Sequence, residues 1–176
     1  MPSFSEPQKA QKIQKGFTKG KFKNIFCGSI VFYKNFQVMR KVTKGYLKDL
    51  TYQVNGAAIE VHKALGPGLL ESVYHKCLKQ ELTLRNIKFQ SESDVPVFYK
   101  GIELDTNFRC DLLIEDCLVL ELKTVDAIIP IHEAQLLTYM KLLKMPKEII
   151  YNFKVVNLYK DGQRTFVNEF FRDLPN

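Results

Sequence analysis

The chain is poor in several things that would point elsewhere. Its four cysteines, Cys27, Cys77, Cys110 and Cys117, form no C-x-x-C pair and have no histidine at zinc-finger spacing. That excludes a zinc finger, and the thiols are expected to be reduced, as in an intracellular, cytoplasmic protein. No apolar run approaches the roughly 20 residues needed to cross a bilayer. The stretch 25–32 is too short for a span, and its flanks lack the small-residue cleavage site of a secretory signal. No membrane association is expected. There is no internal repeat and no low-complexity tract. Acid is almost missing from one region: residues 1–45 hold ten Lys/Arg against the single acid Glu6.

That scarcity explains the formal charge of +7, because residues 46–176 hold sixteen Lys/Arg against eighteen acids and are near neutral. The global basicity is therefore weak evidence for nucleic-acid binding by the main domain. The chain divides into a basic N-terminal extension, 1–45, and a domain, 46–176. The extension is rich in Lys, Gln and Phe, with Gly16, Gly20 and Gly28 as breakers. It reads as a loosely ordered appendage, with a nucleic-acid-touching arm as the alternative. Met39, just ahead of the first well-patterned helix, is a possible start of the domain. In a chain of 176 residues, 45% hydrophobic and 12% aromatic content indicates a folded globule with an ordinary core.

Helical spacing of Leu47, Leu50, Val54, Ala57, Ala58, Val61 and Leu65 predicts a first helix over 46–65, ended by Gly66-Pro67-Gly68. A second helix is expected over 69–85, with Leu70, Val73, Tyr74, Cys77, Leu78, Glu81 and Leu82 on or near one face and Asn86 as its cap. Short β runs follow at 88–90, 95–99, 104–114 and 118–123. The polar Asp105-Thr106-Asn107 suggests an edge or a bend. A third helix is expected over 131–143, stopping before Pro146. Runs at 149–153, 155–159 and 165–170 read as closing strands, the last two joined by a hairpin turn at Asp161-Gly162. The order ααβββαβ(ββ) gives an α/β fold, a central mixed sheet flanked by helices.

The chemistry concentrates between Arg109 and Lys123. Two apolar runs, 112–114 and 118–120, flank Glu115-Asp116 and predict two strands joined by a tight turn. Folding that hairpin brings Asp111 close to Glu121. The strand period of two puts Glu121 and Lys123 on one face and Leu122 on the other. Paired acids at the end of an apolar hairpin repel unless a cation lies between them, and oxygen ligands suit Mg²⁺ or Mn²⁺.

Asp111 followed by Glu121-Leu122-Lys123, and then a helix bearing Gln135 and Tyr139, resembles the PD-(D/E)XK nuclease superfamily, with Gln-x-x-x-Tyr similar to its RecB-like branch. Gly68-Leu69-Leu70-Glu71-Ser72-Val73-Tyr74 resembles the signature of the GxxExxY protein family. The likeness extends through Glu-Val-His-Lys-Ala-Leu-Gly-Pro-Gly, Tyr99-Lys100-Gly101, the segment from His132 to Tyr139, and Asn152-Phe153. It spans about 46–174 and nothing in the first 45 residues. The resemblance implies a restriction-endonuclease-like core that hydrolyses phosphodiester bonds in DNA or RNA. It also implies that Asp111, Glu121 and the Leu122 carbonyl hold Mg²⁺ or Mn²⁺ while Lys123 handles the attacking water. A catalytically inactive module of the same fold, binding nucleic acid or a protein partner, is the alternative. A homo-oligomer stays open.

The superfamily's habit of completing the metal site with a helical acid implies Glu71 as a third carboxylate; otherwise it favours the positive end of its helix. Tyr74, one turn on, is expected to be a packed ring whose hydroxyl orients Glu71, or else to meet substrate. Gln135 and Tyr139, four residues apart, share a helix face and would touch the lysine, water or a phosphate; the other reading is a polar border to the core. His132 is either a substrate contact or a bystander, and His62 a core or interface histidine. His75 has no expected role. Arg109, two residues before Asp111, would neutralise the acids, reach a phosphate or form a structural ion pair. The cysteine spacing departs from that of RecB-like relatives with an iron–sulfur cluster, so none is expected.

Overall fold

A computed structural model describes residues 42–105 and 108–176. The expectations for the extension up to residue 41, and for Thr106 and Asn107, lie outside these residues. Helix α1, Lys44–Leu65, starts where the Thr43 hydroxyl accepts the Tyr46 amide at 3.0 Å, satisfying one of the donors that every helix start leaves open. Its stripe of Leu47, Leu50, Val54, Ala57, Ala58 and Val61 is buried, as the spacing requires, with His62 at its end. Leu65 is not part of it and stays 37% exposed.

Gly66 and Gly68 then take φ of 68° and 108°, a backbone region that glycine enters without steric cost. Helix α2, Glu71–Leu84, folds back along α1 and buries Tyr74, Leu78 and Leu82. It begins two residues later than expected, because Leu70 is extended and three-quarters exposed.

Five strands make the main sheet: β1 Phe89–Asp94, β4 Arg109–Ile114, β5 Leu118–Lys123, β6 Lys147–Asn152 and β7 Gln163–Val167, in the order β1-β4-β5-β6-β7. A separate two-stranded ribbon, β2 Val97–Tyr99 and β3 Ile102–Leu104, turns at Lys100-Gly101. Only β5 and β6 are parallel; the other sheet neighbours are antiparallel. A parallel pair needs a crossover, and helix α3, Pro130–Leu143, supplies it. Strands covered on both faces read as continuous apolar runs. That is why the Leu118–Lys123 sequence hardly alternates, with all but its last residue buried.

The sheet separates two cores. Helices α1 and α2 cover Leu112, Ile114, Leu118, Leu120, Leu122, Ile149, Tyr151 and Phe153. Helix α3 covers the other face, where Leu113, Val119, Cys110 and Met145 meet Tyr139 and Leu143. Burying each large aliphatic chain contributes about 1.5–3 kcal/mol, so both layers pin the strand ends that carry the polar residues.

The expected strands differ from the observed ones in three places. The run expected at 104–114 ends β3 at Leu104 and resumes as β4 only at Arg109, and residues 169–170, expected in the last strand, are helical. Residues 155–159 form no strand; instead Leu158–Gly162 is a π-helical turn, and Asp161-Gly162 leads into β7 rather than linking two strands. Strand β6 already pairs with β5 and β7, so the segment finds no free edge beside it. Leu158 is buried in the core and Val155 packs against it, while Val156 and Tyr159 face outward. Gly162 is packed so closely that a Cβ would lie 2.6 Å from the Asn152 carbonyl oxygen. A short helix α4, Glu169–Arg172, follows, and the Pro175 carbonyl accepts the Lys44 amide at 2.8 Å. Among the described residues no helix is long and apolar enough to cross a membrane, and Cys77 and Cys110 are free thiols.

Candidate metal centre

The hairpin between β4 and β5 is built as the sequence requires. Glu115 and Asp116 take φ of 46° and 54°, and the Cys117 amide closes the turn on the Ile114 carbonyl at 3.0 Å. Two positive-φ residues match the right-handed twist of the strands they join. The turn is fastened to β1 as well, since Glu115 Oε1 accepts the Lys88 amide and Asp116 Oδ1 accepts Gln90 Nε2.

The paired residues of β4 and β5 run from Ile114–Leu118 to Leu112–Leu120 and stop there. At the next position Asp111 faces β5 with its side chain, and Oδ2 accepts the Leu122 amide at 2.7 Å. A carboxylate thus takes an amide beyond the end of the ladder. Leu122 itself lies in the core under α1 and α2, while Glu121 and Lys123 lie together on the opposite face, Lys123 Nζ donating to Glu121 Oε1 at 2.6 Å.

Glu121 is 3% exposed, and its Oε2 is buried without a partner among the described residues. Burial, then the Asp111 charge, pushes its carboxyl up to about 7 against the pull of Lys123. Lys123 is itself raised: burial opposes its charge, but the Glu121 bond and the surrounding acids outweigh that. Glu71, first residue of α2, is raised by burial, relieved by Lys123 and by the Thr124 amide, and raised again by Asp111. Three carboxylates from three elements therefore sense one another and share Lys123.

Gln135 Nε2 donates to the Tyr139 hydroxyl at 2.7 Å on α3. The phenol is raised by burial, lowered by that bond and raised by Glu121, which places it within reach of the acids' field. Phe108 packs edge-on against its ring at 5.8 Å between centroids.

The remaining predicted residues are employed elsewhere. Arg109 pairs with its cross-strand partner Asp94 at 2.9 Å on the exposed margin of the sheet. Tyr74 neither meets Glu71 nor faces solvent. Its hydroxyl donates to the Gly66 carbonyl at 2.6 Å and accepts the Leu69 amide at 3.1 Å, and its buried ring stacks on Phe153. It closes the glycine turn, because a fully buried phenol must find partners and the turn offers both. His132 Nδ1 accepts the Ile129 amide at 3.3 Å at the start of α3. His62 Nε2 bonds the Val155 carbonyl at 2.8 Å and is a core histidine.

Two neighbours of the acids escaped the sequence reading. Glu148 on β6 is fully buried, with neither carboxyl oxygen bonded among the described residues. Burial, then the charges of Glu121 and Asp111, pushes it up to about 10, and Cys110 beside them rises to about 12, again mainly by burial. The available signal was a lone acid at the head of an apolar run. His75, on α2, reaches the Asp111 carbonyl.

Asn152 fixes the segment beyond Lys123. Its amide accepts the Val125 N–H and donates to the Val125 carbonyl, while the Phe153 amide bonds the Lys123 carbonyl.

Among the described residues, no group of three or more His, Cys, Asp or Glu side chains is placed so that it could hold a metal ion. The donors nevertheless fit one chemically. They are carboxylate oxygens, which hard divalent cations prefer, and Glu121 Oε2 is a buried oxygen with no bond to lose.

A family model described as the PD-(D/E)XK nuclease superfamily matches residues 48–165, well over half of the chain. The chain belongs to that superfamily. No curated protein and no solved structure matches it.

Proposed function

We propose that this protein is a metal-dependent nuclease that hydrolyses phosphodiester bonds in DNA or RNA, and that it falls in the GxxExxY family of the RecB-like branch. One observation carries the reading. Asp111, held by the Leu122 amide, stands next to a buried Glu121 whose free oxygen is unpaired and whose other oxygen is bonded to Lys123. Nothing in a merely structural hairpin calls for that concentration of unsatisfied charge, which costs stability where it stands. The ordered motifs from Gly68 to Tyr74 and from His132 to Tyr139 support the finer placement.

Asp111 and Glu121 would hold Mg²⁺ or Mn²⁺, with Glu71 as the third carboxylate and the Leu122 carbonyl as the main-chain donor. The ion would supply Lewis-acid polarisation of the phosphodiester. Lys123, with its raised affinity for protons, remains an ammonium at neutral pH. It can orient water or hold a phosphate oxygen as charge builds. Gln135 and Tyr139, bonded to each other, present an amide and a hydroxyl from α3 to the same region. The free thiols agree with a cytoplasmic setting.

The second reading, an inactive module that binds nucleic acid or a protein, draws on the near-neutral charge of residues 46–176. Cleavage of labelled single- and double-stranded DNA and of RNA by the purified chain with Mg²⁺ or Mn²⁺, lost in Glu121→Ala, is the expected result. Absence of metal-dependent cleavage on every substrate favours the second reading.

A further inference from the structure

Strands β1 and β4 pair continuously except at one point. Phe89, Gln90 and Ser91 match Ile114, Leu113 and Leu112; Ser93 and Asp94 match Cys110 and Arg109; Glu92 and Asp111 between them are unpaired. Glu92 takes φ of 52°, a left-handed conformation that breaks a ladder locally. The Asp111 main chain thus sits at a gap in the sheet, at the position where its side chain must be aimed.

Helix α2 reaches into that gap. His75 is one turn beyond Glu71 on the same helix face, and its Nε2 lies 3.2 Å from the Asp111 carbonyl oxygen and 3.4 Å from Ser91 Oγ. Lys79, a further turn on, donates to the same Ser91 hydroxyl at 3.4 Å. A carbonyl can only accept, so Nε2 carries the hydrogen and the tautomer is set by its partner. Asp111 is then held at both ends, its carboxylate by β5 and its carbonyl by α2.

We propose that His75 is a positioning residue for the acid cluster, holding the Asp111 main chain at the sheet gap so that the Asp111 carboxylate stays aligned with Glu121 and Glu71. The assignment rests on the metal-site reading above. Helix α2 accordingly has two tasks one turn apart: it brings one carboxylate and steadies another. Partners that orient ligands without touching the ion commonly change metal affinity by about 10–100-fold when removed.

The test is Mn²⁺ binding by titration calorimetry on the full chain, alongside the melting temperature without metal. His75→Leu removes the donor. His75→Gln keeps an N–H at a similar reach. Asn168→Ala removes the cap of α4 and its bond to the Met145 carbonyl, just beyond the Lys147 end of β6, and reports what general loosening does. The expected result is about tenfold weaker Mn²⁺ binding in His75→Leu, recovery to within about threefold in His75→Gln, and unchanged affinity in Asn168→Ala. If His75→Leu does not fold, His75→Asn, whose amide stops short of the carbonyl, takes its place. Equal affinity in wild type and His75→Leu overturns the inference alone, as does equal loss in the leucine and glutamine variants. A wild type that binds no Mn²⁺ overturns the metal-site reading and this inference with it.

Discussion

The Leu122 amide donates to the Asp111 carboxylate at 2.7 Å, so the middle residue of the Glu-Leu-Lys triplet holds Asp111 in place beside it. Its side chain anchors the triplet in one core while its N–H, in the plane of the sheet, fixes the Asp111 carboxylate.

That bond predicts a difference between two substitutions at Asp111. Asp111→Ala leaves the part-buried Leu122 amide without its acceptor and should cost about 1–3 kcal/mol. Asp111→Asn keeps an acceptor and should be close to wild type in urea denaturation. It should also lower the Glu121 pKa, because a charge that raises it is gone. Equal destabilisation by both variants would contradict the argument.

Glu148 predicts a pH dependence. Its folded-state pKa, about 10, lies far above the usual carboxylate value, so the unfolded chain binds fewer protons between those limits. Stability from this group is complete at low pH and is lost as pH rises toward 10. Glu148→Gln should therefore gain on wild type as the pH is raised from about 5 to about 9, read from denaturation midpoints. Parallel profiles for the two proteins would refute the burial of a neutral carboxyl at that position.

Metal binding should follow the Glu121 proton. With a pKa of about 7, that carboxyl must lose its proton before it can ligate, so affinity falls as pH drops below neutral. Mn²⁺ at a hundredfold excess over its dissociation constant should stabilise wild type by about 2.7 kcal/mol. The accompanying rise in melting temperature should be smaller at pH 6 than at pH 8 and lost in Glu121→Gln. A shift of the same size at both pH values would place the ion elsewhere.

Tyr74→Phe should destabilise by about 1–3 kcal/mol, since the Gly66 carbonyl and Leu69 amide lose a shared partner. The same change should raise hydrogen exchange at Leu69. Faster exchange confined to α3 instead would separate Tyr74 from the glycine turn.

Local pattern made much of this architecture readable. The stripe from Leu47 to Val61, the glycine turn, the Glu115-Asp116 hairpin and the Glu121–Lys123 face follow from periodicity and turn chemistry acting over a few residues. The failures are all non-local. Residues 155–159 carry the β-branched and aromatic side chains of a strand, but strand availability depends on edges that β5 and β7 already occupy. Tyr74 sits one turn from Glu71 in sequence yet bonds backward into the turn, and His75 acts through a gap in a sheet whose register no single strand reveals. Glu148 enters the acid cluster only because the crossover through α3 lays β6 beside β5.

The grip of Asn152 on Val125 ties the backbone just beyond Lys123 to β6. Both main-chain groups of Val125 and the carbonyl of Lys123 are occupied from the β6 side by Asn152 and Phe153, so this segment cannot swing away from β6 without breaking three bonds at once.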